Sequence, residues 1–98
     1  MTESRLQVDV SGMDVIMFDG ERLPVSPRIH RLIALLMRNS GNVVGFGDLS
    51  RHFGWADPGV SNSAKVAVCH ARNALKDVGA PVRIETVYGQ GYRLRAIP

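Results

Sequence analysis

Residues 84–94 read IETVYGQGYRL, and the spacing of their side chains decides how the end of the chain folds. Val82, Ile84 and Thr86 share one parity with Tyr92 and Leu94, whereas Arg83, Glu85, Arg93 and Arg95 share the other. In strands of period two this gives one apolar face and one charged face. The glycines of YGQG supply a tight tip, where positive φ and close approach of the main chain are needed. Residues 82–95 therefore predict a terminal β-hairpin with a basic outer face.

Upstream of the hairpin, NSAKVAVCHARNALKDVG changes the period to that of a helix. Asn62 or Ser63 can cap it, Gly79 follows it, and Ala64, Val68, Ala71 and Leu75 form a narrow apolar stripe. The opposite side carries Lys65, Val66, Cys69, His70 and Asn73, so a helix over 62–77 is expected to show a polar face. Further back, SPRIHRLIALLMRNSG predicts a helix over 26–40, with Ser26 at the N-cap, Pro27 in the first turn and Ile29, Leu32, Ile33 and Leu36 on one side. Between them NVVGFGDLSRHFGW reads as a short strand or turn at Val43 and Val44 and a helix over 45–54, weakened at its start by Gly45 and Gly47. ADPGVS is a loop. Residues 5–25 alternate in short runs broken at SG and DG, which predicts a small antiparallel sheet of about three strands.

The expected fold class is α+β, a single domain over 1–98: small sheet, helix, short helix, loop, helix, hairpin. A short helix followed by a second one with a polar face reads as a helix-turn-helix, and the hairpin after it as a wing. A B-DNA major groove admits one α-helix, and a hairpin beside it reaches the backbone or the minor groove.

The distribution of charge agrees with an anionic partner. Residues 1–61 hold six Lys and Arg against seven Asp and Glu, whereas residues 62–98 hold six against Asp77 and Glu85 alone. The excess falls on the last helix and the hairpin. No apolar run is long enough to span a bilayer and the N-terminus has no signal-type apolar core, so a cytoplasmic protein without membrane contact is expected. The lone Cys69 excludes an internal disulfide.

The order of elements, with GNVVGFGDLSRHFGW, KVAVCHARNAL and above all the Thr-x-x-Gly-x-Gly-Tyr-Arg pattern of the hairpin, resembles the OmpR/PhoB-type winged helix-turn-helix domain, the effector half of many bacterial response regulators. The resemblance spans about Leu6 to Leu94. It implies a double-stranded-DNA-binding transcription regulator whose recognition helix carries Ser63, Lys65, Val66, Cys69, His70 and Asn73 into the major groove. Asn62 and Ser63 would meet phosphate at the start of that helix. Arg72, Lys76, Thr86, Tyr92, Arg93 and Arg95 would hold the backbone, and Tyr88 stands where the family often places an arginine for the minor groove. The loop with Trp55, Asp57, Pro58, Gly59 and Val60 corresponds to the segment that meets RNA polymerase in such activators. Two copies on tandem half-sites are expected, because one module buries little surface.

Three departures accompany the resemblance. Cys69, His70 and Tyr88 occupy positions where relatives usually carry arginine, so the reading face is less basic than theirs. Gly45 and Gly47 fall where the family prefers a polar cap and a stronger helix former. No receiver domain precedes the effector domain in these 98 residues, so control is expected through concentration, a partner or oligomerisation. The first and third departures motivate the alternative of a winged helix that binds RNA polymerase or another regulator instead of DNA.

No catalytic residue, metal ligand or cofactor is expected. The glycines of GQG lie between two strands, where a dinucleotide site needs a helix N-terminus. His30, His52 and His70 are too widely spaced for a local metal motif. Cys69 is read as a small filler or a redox-sensitive thiol beside His70 and Lys65, and Trp55 as a lid on the core or a protein-contact anchor.

Overall fold

The computed structural model describes residues 6–8, 15–39, 41–53 and 63–96. Three short strands, β1 (Leu6–Val8), β2 (Ile16–Phe18) and β3 (Glu21–Arg22), open the fold as an antiparallel sheet. Asp19 and Gly20 join β2 to β3 as a two-residue turn with φ of 53° and 82°, the geometry that Asp-Gly favours. Ile16 and Phe18 point into the core, while Glu21 and Arg22 are exposed.

Helix α1 (Pro27–Arg38) follows. Ser26 occupies the N-cap position but its side chain makes no capping bond, so the start is set by Pro27 and not by the serine hydroxyl. Besides the expected Ile29, Leu32, Ile33 and Leu36, this helix buries His30 and Ala34. The wider buried face arises because α1 is covered from several sides, packing on β2, on helix α3 (Ser63–Asp77) and on the last strand, β6 (Gly91–Ala96).

Strand β4 (Val44–Gly45) leads directly into helix α2 (Phe46–Phe53). The hairpin expected at the end forms from β5 (Val82–Val87) and β6, with Ile84 opposite Leu94, Thr86 opposite Tyr92 and Glu85 opposite Arg93. It is, however, part of a three-stranded sheet in the order β4-β6-β5. Val44 pairs with Tyr92 and Gly45 with Gly91, a long-range pairing that local sequence patterns do not encode.

That pairing gives the second glycine of the tip its role. A Cβ on Gly91 would lie 2.0 Å from the carbonyl oxygen of Val44, far inside van der Waals contact. Gly91 lets β4 approach its own sheet; the first glycine, Gly89, takes φ of 73° in the turn. The close approach of main chain expected at the tip is, at Gly91, that of β4.

On α3 the buried stripe comprises Ala64, Ala67, Val68, Ala71, Ala74 and Leu75, broader than the four residues expected. Four alanines let the helix settle closely against α1 and β5, and dispersion rewards that close approach.

Candidate nucleic-acid interface

The buried stripe dictates what α3 shows on its other side. Lys65, Val66, Cys69, His70, Arg72, Asn73 and Lys76 are all exposed. Lys65, Val66, Cys69, His70 and Asn73 recur at helical spacing and form one continuous face. Val66, although apolar, is 53% exposed on this face. Cys69 is exposed, not a core filler, with Asn73 Nδ2 at 3.9 Å from its sulfur. Ser63 is the first residue of the helix. Asn62 and the loop residues Trp55, Asp57, Pro58, Gly59 and Val60 lie outside the described residues.

Arg72 ties this helix to the hairpin. Its Nε donates to the carbonyl of Ile84 at 3.0 Å and its Nη2 to Thr86 Oγ1 at 3.0 Å. The fork geometry of a guanidinium suits such a double contact. Helix and wing are thereby held at one angle through a charged side chain that stays exposed.

The basic face of the hairpin is organised around a residue that sequence reading noted only for its parity. Glu85 accepts from Arg93 Nε at 2.8 Å and from Arg95 Nη1 at 2.9 Å, and Arg83 Nη2 stands 3.8 Å away. The hydrogen bond from Arg93, followed by that from Arg95, holds the Glu85 carboxyl below the usual carboxylate range despite some desolvation. Arg93 and Arg95 are therefore neutralised in part within the wing, and they lie on the sheet face opposite buried Ile84 and Leu94. The cue available in the sequence was the register itself, since Glu85 faces Arg93 directly across the hairpin.

Tyr92 departs from its expected placement as a phosphate contact. It is 5% exposed, and its ring packs edge-on against Phe46 with centroids 6.0 Å apart. Its parity with Ile84 and Leu94 turns it into the core, where it joins the wing to α2. Tyr88, by contrast, stands at the tip with 92% of its surface exposed.

Among the described residues no group of three or more His, Cys, Asp or Glu side chains could hold a metal ion, and no helix is long and apolar enough to cross a membrane. Three helices, an outward helical face and a glycine-tipped hairpin fastened beside it define a winged helix-turn-helix domain. Residues 20–94 match the family model described as transcriptional regulatory protein, C terminal. The chain belongs to that family, the OmpR/PhoB-type effector domains. It is 31% identical over 93 residues to the response regulator protein PmrA of Pseudomonas aeruginosa, a match covering 94% of this chain and 40% of PmrA. The chain thus spans less than half the length of that relative.

Solved structures share the fold. The DNA-binding domain of CpxR from E. coli aligns with a TM-score of 0.81 at 22% identity, covering 100% of this chain and 97% of that one. The Klebsiella pneumoniae RstA DNA-binding domain, in complex with the RstA box, gives 0.76 at 24% identity, covering 97% and 95%. The AdeR DNA-binding domain, in complex with an intercistronic region, gives 0.77 at 19% identity and covers 100% of both chains.

Proposed function

We propose that this domain regulates transcription by binding double-stranded DNA, with α3 in the major groove and the hairpin on the adjacent backbone or minor groove. The observation that carries this reading is the single outward face of α3, running from Lys65 to Asn73 with a stripe of buried alanines behind it. Lys65, Val66, Cys69, His70 and Asn73 meet base edges. Ser63 opens α3 at the positive end of the helix, which favours phosphate, and Asn62, next in sequence, joins it in this reading. Arg72, Lys76 and Thr86 hold the backbone at the junction of helix and wing, Tyr88 enters at the tip, and Arg93 and Arg95 supply charge from the wing. The solved complexes of RstA and AdeR with DNA support the reading by analogy of fold. Two copies on tandem half-sites, a cytoplasmic location and polymerase contact through residues 55–60 complete the proposal. Catalysis forms no part of it.

Fluorescence anisotropy on random duplex DNA, titrated with salt, tests the proposal. Binding is expected to weaken linearly on a log–log plot with a slope of about −0.9 per neutralised phosphate. Arg93→Glu combined with Arg95→Glu should abolish it. Absence of binding at low salt sinks the reading.

One observation favours a second reading. The outward stripe of α3 holds only Lys65 as a permanent cation, and Val66 and Tyr88 add exposed apolar surface. Such a face suits a protein partner, RNA polymerase or another regulator. Under that reading the double arginine variant leaves partner capture intact while DNA affinity is negligible throughout.

A further inference from the structure

The buried stripe of α3 fixes which of its outward residues stand furthest from the core. At about 3.6 residues per turn, Cys69 and Asn73 lie within about 20° of the line diametrically opposite that stripe, and Val66 within about 40°. All three are exposed. Lys65, Arg72 and Lys76 fall about 40–80° to one side of this crest, the side on which Arg72 is bonded to Ile84 and Thr86 of β5. His70 and Asp77 fall about 60–80° to the other side. The crest therefore presents methyl groups, a thiol and an amide, and its cations stand on the flank toward the wing.

From this arrangement we infer that α3 selects A·T base pairs at two positions, with Asn73 on adenine and Val66 on the methyl group of thymine. The inference rests on the DNA-binding proposal and adds which bases are read. In the major groove guanine shows two acceptors, N7 and O6, which suit a bidentate cation; the crest has none. Adenine shows an acceptor at N7 and a donor at N6, which an amide matches by donating from Nδ2 and accepting at Oδ1. The single N4 donor of cytosine would leave the Nδ2–H unpaired.

The neighbours of Asn73 and Val66 prepare them for these contacts. Asn73 Nδ2 stands 3.9 Å from Cys69 Sγ, a weak contact that occupies one of its two N–H donors and leaves the other, with Oδ1, for the base. Val66 is β-branched, so its χ1 is stiff in a helix and its two methyl groups hold their place. Thymine is the base that offers a methyl group in return. Seven residues at about 1.5 Å each put about 10 Å between Val66 and Asn73, or about three base-pair steps. Lys65, Arg72 and Lys76 then face the phosphates of the groove wall nearest the wing, contacts that position the helix without reading sequence.

Selection from a random duplex library, followed by anisotropy on the enriched duplex, tests the inference. Two A·T pairs about three steps apart are expected. Deoxyuridine in place of the thymine removes the methyl group alone and should weaken binding about fourfold; 7-deazaadenine removes N7 alone and should weaken it about fivefold or more. The deoxyuridine penalty should vanish in Val66→Ala and persist in Asn73→Ala, and the 7-deazaadenine penalty should do the reverse. Misfolding of either variant does not produce that crossed pattern. Guanine enriched at both positions, indifference to both base analogues, or penalties that survive in both variants overturn the inference, while salt-dependent binding to duplex leaves the DNA-binding proposal standing. Absence of binding to any duplex at low salt overturns both.

Discussion

Arg72 on α3 donates to Thr86 on β5 at 3.0 Å, and the same guanidinium reaches the Ile84 carbonyl one turn of the pleat away. Helix α3 and the hairpin thus share one fastening. Thr86→Val removes the hydroxyl and keeps the bond to Ile84, so its cost is expected at about 0.5–1.5 kcal/mol. Arg72→Lys keeps the charge and loses the fork, and should weaken DNA binding more than it weakens the fold. Urea denaturation beside anisotropy separates the two effects. Equal DNA affinity in wild type and Arg72→Lys would show that the fork positions nothing.

Three glycines should answer alanine substitution in a definite order. Gly91→Ala forces a methyl group onto Val44 and is expected to cost several kcal/mol, or to detach β4. Gly89→Ala meets open space but positive φ, and should cost about 1–2 kcal/mol. Gly47 lies inside α2 with nothing within 4 Å, so Gly47→Ala should stabilise by up to about 1 kcal/mol. Chemical denaturation of the three variants checks the ranking, and a mild Gly91→Ala contradicts the packing of β4 on β6.

His30 predicts how stability responds to acid. It is 1% exposed. Its Nδ1 accepts the Ile16 backbone N–H at 2.9 Å, which places the proton of the neutral ring on Nε2, a buried atom that makes no well-formed hydrogen bond and feels only a weaker pull from the Leu23 backbone. Burial first, and then the charge of Arg22, lower its affinity for a proton, with a partial offset from the Leu23 backbone. The unfolded chain takes up that proton more readily, so this contribution is complete above about pH 6.5 and declines as the pH falls below it. His30→Leu strands the Ile16 N–H, costing about 1–3 kcal/mol at pH 8, yet should flatten the profile between about pH 5 and 7. Urea unfolding at several pH values gives both numbers, and a wild-type profile flat across that interval removes His30 from the account.

Glu85 should restrain DNA binding. Replacing it with glutamine frees Arg83, Arg93 and Arg95 from a carboxylate that competes with phosphate. Glu85→Gln is expected to tighten binding to random duplex several-fold at low salt and to steepen the salt slope by up to about 0.9. The folded carboxyl loses its proton more readily than the unfolded one, so its contribution to folding is present above the unfolded value and disappears as acid titrates the folded group. Weaker binding by Glu85→Gln would instead mean that the carboxylate aligns the arginines for their target.

Much of this arrangement was legible in the residues. Helix α3 and the hairpin follow from period alone, since Ala64, Val68, Ala71 and Leu75 mark one side of the helix and Ile84 and Leu94 one side of the sheet. The outward face, Lys65 to Asn73, follows as their complement. What escaped depends on partners distant in sequence. Val44 and Gly45 form too short a segment to announce that they pair with β6, so the residues show that the tip tolerates a close approach of main chain but not that β4 is what approaches Gly91. Tyr92 has the parity of a core residue, whereas its expected phosphate contact rested on the family resemblance alone. His30 sits one residue off the apolar stripe of α1, and its burial arises from strand β2, which a single-helix pattern does not see. Glu85 was visible as an acid opposite Arg93, but its grip on Arg95 as well emerges only from the twist of the paired strands.

The order β4-β6-β5 has a consequence for how the domain is made. β6 is the last of these three strands to emerge during synthesis, yet it is the middle one, and β4 and β5 meet only through it. Until Gly91–Ala96 arrive, both neighbours have open edges, and nothing pairs with β4 to hold Gln90 where its carbonyl accepts the Phe46 N–H at the start of α2. Closing the sheet spans nearly half the chain, which is slow relative to the local coiling of α1 and α3. A chain halted before β6 would lack both the centre of this sheet and a surface on which α1 packs, and helices this short are marginal alone, so the native domain is expected to form only once the last strand is in place.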